Sequence, residues 1–212
     1  MPRRVTEFIG LFWFLPLAVA AAPSRSLPPI PVLWVGAIAA LVFLRRQPDL
    51  DRSLLWGVEG IRGGLRGVLA RFLVLGPGLA GFAWFMEPEW FVRFPQERTG
   101  FWAAVMVLYP IASVVPQGIL FRTFLHHRYR GLFGEGPGFV LVAAATFAFG
   151  HIVMHRWEPV LITFIGGLVF VTTLLRHRSG LLADLEHALY GDLAFTLGLG
   201  VWLYSGAARQ GL

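Results

Sequence analysis

The sequence predicts an all-α fold, a polytopic bundle of about seven transmembrane helices, and three observations carry that expectation. Of 212 residues, 56% are hydrophobic and only 14% charged, whereas an ordinary soluble domain is about a quarter charged. The mean hydropathy is +0.66. Apolar runs recur from end to end, leaving no stretch for a separate soluble domain, so residues 1–212 read as a single membrane domain.

Windows apolar enough to cross the hydrocarbon core fall near 7–22, 30–45, 67–86, 101–122, 138–155, 158–175 and 180–205. Several are shorter than about 20 residues, which calls for tilt or local thinning of the bilayer. The N-terminal "MPRRVTEFIGLFWFLPLAVAAAPS" has the charged start, apolar middle and small-residue end of a signal peptide. Because further spans follow directly, it is expected to be an uncleaved first helix. In "DLDRSLLWGVEGIRGGLRGVLARF", Leu54, Leu55, Val58 and Ile61 fall near one face, with Arg52, Glu59 and Arg62 elsewhere. That pattern predicts an interfacial helix on the membrane surface. The loop "MEPEWFVRFPQERTG" is acidic and aromatic, and Trp90 and Phe91 suit a membrane interface.

All 18 basic residues are arginine. The net charge of +6 and pI of 10.9 would suggest nucleic acid in a soluble protein. Here the arginines sit in short loops between spans, where topology accounts for them, so no nucleic-acid partner is expected. With the N-terminus in the cytoplasm, thirteen arginines fall inside and Arg25, Arg93, Arg98, Arg156 and Arg209 outside. That asymmetry predicts a multi-pass protein of the cytoplasmic membrane with its C-terminus facing outward. The chain has no cysteine, which excludes disulfides, thiolate nucleophiles and Cys-ligated metals.

Ionisable residues at membrane depth carry the functional information, because each is costly unless paired or hydrated. The fourth span has Gln117 and Arg122, the fifth His151 and His155, and the seventh Asp184, Glu186, His187 and Asp192. A site is therefore expected between spans four, five and seven. In "VVPQGILFRTFLHHRYR", Arg122 has no acidic residue near enough along its own helix to pair with. His151, in an apolar setting, needs a hydrogen-bond partner or a water-filled cavity; the alternative is a packing histidine. His155 reads as an interfacial structural residue. Asp184, three residues before His187, can share its helical face. A histidine oriented by a carboxylate suits acid/base or metal chemistry, and a structural salt-bridged pair is the alternative. Glu186 and Asp192 point elsewhere. Gly191 would let another backbone or a substrate approach. His151 and His187 together could hold a water or a divalent metal such as zinc, although HExxH is absent and a third ligand would have to be His155 or a carboxylate. Ser113 is the serine from which a serine–histidine nucleophile would be built.

"PQGILFRTFL" in the fourth span, "FAFGH" in the fifth and "EHALYGD" in the seventh together resemble the CAAX protease and bacteriocin-processing family, the CPBP or Abi group of intramembrane proteases, over roughly residues 100–200. The family pattern is EExxxR, FxxxH, then HxxxN or a close variant, each on its own helix. Aligned on it, Arg122 is the motif arginine, Phe147 and His151 form the second motif, and His187 is the third-motif histidine. The two glutamate positions are Gln117 and Gly118, and Gly191 stands where asparagine would, with Asp192 adjacent. A branch of the family has glutamine followed by glutamate in a "PQE…FRTF" setting, which leaves Gly118 as the anomaly. The resemblance implies that glutamate and the second-motif histidine activate a water, while third-motif residues polarise the carbonyl. Glutamine cannot accept that proton and glycine has no side chain; Glu186 and Asp192 are the nearest substitutes along the sequence.

Three readings follow. One is an intramembrane endopeptidase acting on a membrane protein or lipidated peptide by histidine-assisted water activation. Another is a catalytically silent pseudoprotease serving as a membrane adaptor or immunity factor. The third is a transporter with a proton path, which no inverted repeat supports.

Overall fold

The computed structural model describes residues 1–22 and 28–203; Arg25, Arg209 and the end of the seventh predicted span lie outside the described residues. Seven helices form a bundle: α1 (Pro2–Ala21), α2 (Pro29–Arg45), α3 (Glu59–Met86), α4 (Thr99–Phe133), α5 (Pro137–Met154), α6 (Trp157–His177) and α7 (Gly180–Thr196). Among the described residues there is no strand. Five of the helices are long and apolar enough to cross a membrane, and Pro29–Arg45 is a shorter apolar helix. Large apolar side chains such as Leu73, Val74 and Phe85 are more than 70% exposed, as a lipid-facing surface requires. The fold is the helical membrane bundle that the composition predicts.

α1 is built into the bundle. Phe8 and Phe12 are buried against Tyr129 and Phe124 of α4. Glu7 accepts hydrogen bonds from Arg128 at 2.8 and 2.6 Å and from Tyr129 at 2.9 Å.

The segment before α3 is not a surface helix. Ser53–Trp56 makes one short turn, the chain bends at Gly57, and α3 begins at Glu59, earlier than the hydropathy window suggests. Leu54 and Leu55 are buried while Val58 is 62% exposed, so the four apolar residues do not share a face. Helix α7 decides this. The Leu54 and Leu55 carbonyls press on Gly180, Ser179 Oγ donates to the Gly57 carbonyl, and Arg178 pairs with Asp51 at 2.5 Å.

α4 runs well past its predicted end, and its two prolines shape it. Pro116 has no N–H for the carbonyl four residues back, Ala112. The Trp34 indole of α2 supplies the missing donor at 2.9 Å. The stretches Pro110–Val114 and Ile119–Phe124 widen into π-helical turns, the local distortion that freed backbone groups allow. Arg122 sits in the second. α5 and α6 approach closely at Gly167, where a Cβ would lie 2.9 Å from Ala144 Cα. α5 ends in a tight 3₁₀ turn, Gly150–Met154, that carries His151 and stops at His155 with φ of 55°. His155 is exposed.

Candidate active site

A cavity of about 880 Å³ lies between the helices, and Tyr109, Ser113 and Gln117 of α4, His151 of α5, Phe170 of α6 and His187 of α7 line it. Its walls are otherwise mostly apolar. The lining reaches toward the ends marked by Pro29, Phe82, Phe101, Met154, Leu161 and Phe195. With α2 to α7 alternating in direction, those ends share one half of the bundle.

His151 hydrogen-bonds the Phe147 carbonyl through Nδ1 at 2.9 Å. A carbonyl only accepts, so Nδ1 carries the proton and Nε2 keeps a free lone pair. His187 is constrained the opposite way. Arg122 Nη1 lies 3.3 Å from His187 Nδ1, and a guanidinium only donates. Nδ1 is therefore the acceptor and Nε2 of the neutral ring carries the proton, 3.2 Å from Tyr109 Oη. Phe147 sets its ring edge-on to both histidines, at 4.9 Å and 5.4 Å between centroids. Phe170 stacks on His187 at 4.6 Å. One imidazole thus presents an acceptor and the other a donor.

Arg122, 3% exposed, finds its acidic partner on another helix: Nη2 donates to Asp184 Oδ1 at 2.5 Å. The sequence reading paired Asp184 with His187, and the structure corrects it. Asp184 binds the arginine, and the arginine contacts the histidine. A Cβ on Gly118 would collide with Asp184 Oδ1 and lie 2.7 Å from Arg122 Nη2, so both side-chain ends would have to shift to admit it.

The other acids stand apart. Glu186, fully buried, accepts from Arg71 Nε at 2.9 Å and Thr173 Oγ1 at 2.5 Å, which ties α3, α6 and α7 together. Asp192 is not among the cavity's lining residues, and its Oδ1 has no hydrogen-bond partner among the described residues. Gln117 donates through Nε2 to Ser113 Oγ at 2.6 Å, leaving Oε1 buried with no partner among the described residues. Tyr109 and Phe170 escaped the sequence reading. A phenol in the apolar run "VMVLYP", two turns before Gln117 on the same helix, is the signal that would have found Tyr109.

A metal does not fit these groups. Among the described residues no three His, Asp or Glu side chains converge as metal ligands. The permanent charge of Arg122 also occupies the Nδ1 side of His187, which opposes a second cation there.

Two buried histidines line the cavity, and an arginine paired with a carboxylate backs one of them, in a helical bundle of membrane-spanning length. Residues 99–191 match the family model described as type II CAAX prenyl endopeptidase Rce1-like, which agrees with the family resemblance read in the motifs. The match covers less than half of the chain and spans α4 to most of α7. No curated protein and no solved structure matches the chain.

Proposed function

We propose that the protein is an intramembrane endopeptidase that hydrolyses a peptide bond of a membrane-associated substrate, with His151 as the base and the carbonyl polarised from the side of the cavity that His187 backs. The observation that carries this reading is the opposite hydrogen bonding of two histidines on one cavity, His151 Nδ1 to a carbonyl and His187 Nδ1 to a guanidinium. A water in the cavity gives a hydrogen bond to His151 Nε2. Its oxygen attacks the carbonyl carbon while a proton passes to His151, and the negative charge growing on the carbonyl oxygen is stabilised from the His187 side. Collapse of the tetrahedral intermediate breaks the C–N bond. The proton on His151 goes to the leaving amine, so acid and amine products balance the water consumed.

The lining favours a substrate that is apolar over several residues, a transmembrane segment or lipidated tail. If the N-terminus is cytoplasmic, as the arginine distribution indicates, the cavity lies in the outer half of the bundle. The test is cleavage of membrane-anchored reporter peptides in liposomes by the native chain, His151→Ala and His187→Ala. Cleavage by the native chain that both substitutions abolish, with folding intact, supports the proposal. A native chain that binds reporters without cutting them supports the adaptor reading instead.

A further inference from the structure

We infer that α4 and α7 have exchanged two polar groups of this site: Asp184 of α7 fills the space above Gly118 as the carboxylate that positions Arg122, and Tyr109 of α4 fills the space above Gly191 as the hydroxyl that meets the substrate carbonyl. The inference rests on the peptidase reading and adds one positioning and one catalytic residue to it.

The two glycines carry the argument. A glycine inside a helix is disfavoured unless packing or function demands it, and several glycines here, such as Gly63, Gly78 and Gly100, have open space where a side chain would go. Gly118 and Gly191 do not. A Cβ on Gly118 would collide with Asp184 Oδ1, and a Cβ on Gly191 would collide with the Tyr109 ring and its Oη. At each position a polar group reaches across from the opposite helix.

The exchanged groups complete one chain of hydrogen bonds. Asp184 compensates the guanidinium, which would otherwise be a buried, unpaired charge. Arg122 donates to His187 Nδ1, so His187 Nε2–H donates to Tyr109 Oη. With its oxygen accepting that bond, Tyr109 has its single O–H free, and Tyr109 lines the cavity. The donor that reaches the substrate oxygen is the phenol, strengthened by the histidine and arginine behind it. On this view Gly118 is not a lost base; it is the room that Asp184 needs.

Two kinds of measurement test the inference. The first is independent of catalysis: melting temperatures in detergent for Gly118→Ala and Gly191→Ala, each alone and combined with Asp184→Ala and Tyr109→Ala respectively. Each glycine substitution is expected to lower the melting temperature of the native chain but to cost little further in the background of its partner's truncation, which is itself destabilising. Additive effects at either pair would overturn the exchange at that pair. The second is cleavage. Tyr109→Phe keeps the ring and removes the hydroxyl, and is expected to lower kcat by about 100- to 1,000-fold with KM little changed. Gly118→Glu and Asp184→Gly are each expected to lose activity, and the double variant to recover it. Native-like turnover by Tyr109→Phe, or no recovery in the double variant, would sink the catalytic half. Should the native chain cleave nothing, the peptidase reading fails by itself, and the melting cycles still decide whether the groups were exchanged.

Discussion

Arg122 and Asp184, 62 residues apart in sequence, meet at 2.5 Å in the bundle interior, and the same guanidinium contacts His187 at 3.3 Å. One side chain therefore joins a carboxylate and an imidazole of the same helix.

Removing that joint leaves Asp184 buried and uncompensated. Arg122→Ala is expected to cost about 3–5 kcal/mol of stability, the range for breaking a buried pair from one side. Arg122→Lys keeps the charge but loses the planar fork that serves Asp184 and His187 together. It should therefore be milder for stability than for cleavage. Thermal unfolding in detergent beside reporter cleavage separates the two effects.

Because His151 acts through an unprotonated Nε2, cleavage is expected to fall as acid protonates that nitrogen. A pH–rate profile of the native chain should show this acid limb, and His151→Ala should lower kcat by about 100- to 10,000-fold, the usual contribution of a positioned base. A flat acid limb would assign the base elsewhere.

Close approach of α5 and α6 depends on Gly167, whose Cβ would meet Ala144 Cα at 2.9 Å. Backbone cannot yield as a flexible side chain can, so Gly167→Ala is expected to destabilise by about 1–3 kcal/mol. Denaturation from mixed micelles would measure the loss. Gly100→Ala, in open space, is the matched control and should be neutral or stabilising.

The tie between Asp51 and Arg178 gives stability a pH dependence outside the spans. Partial burial raises the Asp51 carboxyl, but hydrogen bonds from Ser53 and Arg178 outweigh it and hold the group below its ordinary value. A depressed carboxyl contributes stability above its unfolded pKa and loses it as pH falls through the folded one. Asp51→Asn should therefore flatten the acid end of the stability profile and lower stability near neutrality, where the carboxylate's contribution is fully present, with little change at the acid extreme; thermal unfolding across pH reads both.

Orientation can be read directly, because the chain has no cysteine. Single substitutions at Arg46 and Gly100, at opposite ends of the bundle, should differ in labelling by an impermeant maleimide applied to right-side-out vesicles. Labelling at residue 100 alone places the cavity in the outer half. Labelling at residue 46 alone reverses the arrangement.

The sequence by itself determined the class of fold and the depth of the polar residues. A hydrophobic run long enough to cross a bilayer is a property of consecutive residues, and an arginine or histidine within it is costly wherever its neighbours lie, so Arg122, His151 and His187 were legible as exceptional. The tertiary structure alone decided who partners whom. Asp184 was visible, but whether it faces His187 or Arg122 depends on the rotation and spacing of α7 against α4. Glycines 118 and 191 set that close approach, and the π-helical turns flanking Gln117 displace the register of α4. The apparent surface helix before α3 failed for a related reason, because Leu54 is buried against Leu174 and Ala183, and Leu55 in the main core, by contacts with distant helices rather than by their own periodicity. Local sequence records which residues need partners; only the packed helices choose among the candidates, because that choice turns on distances between segments far apart in the chain.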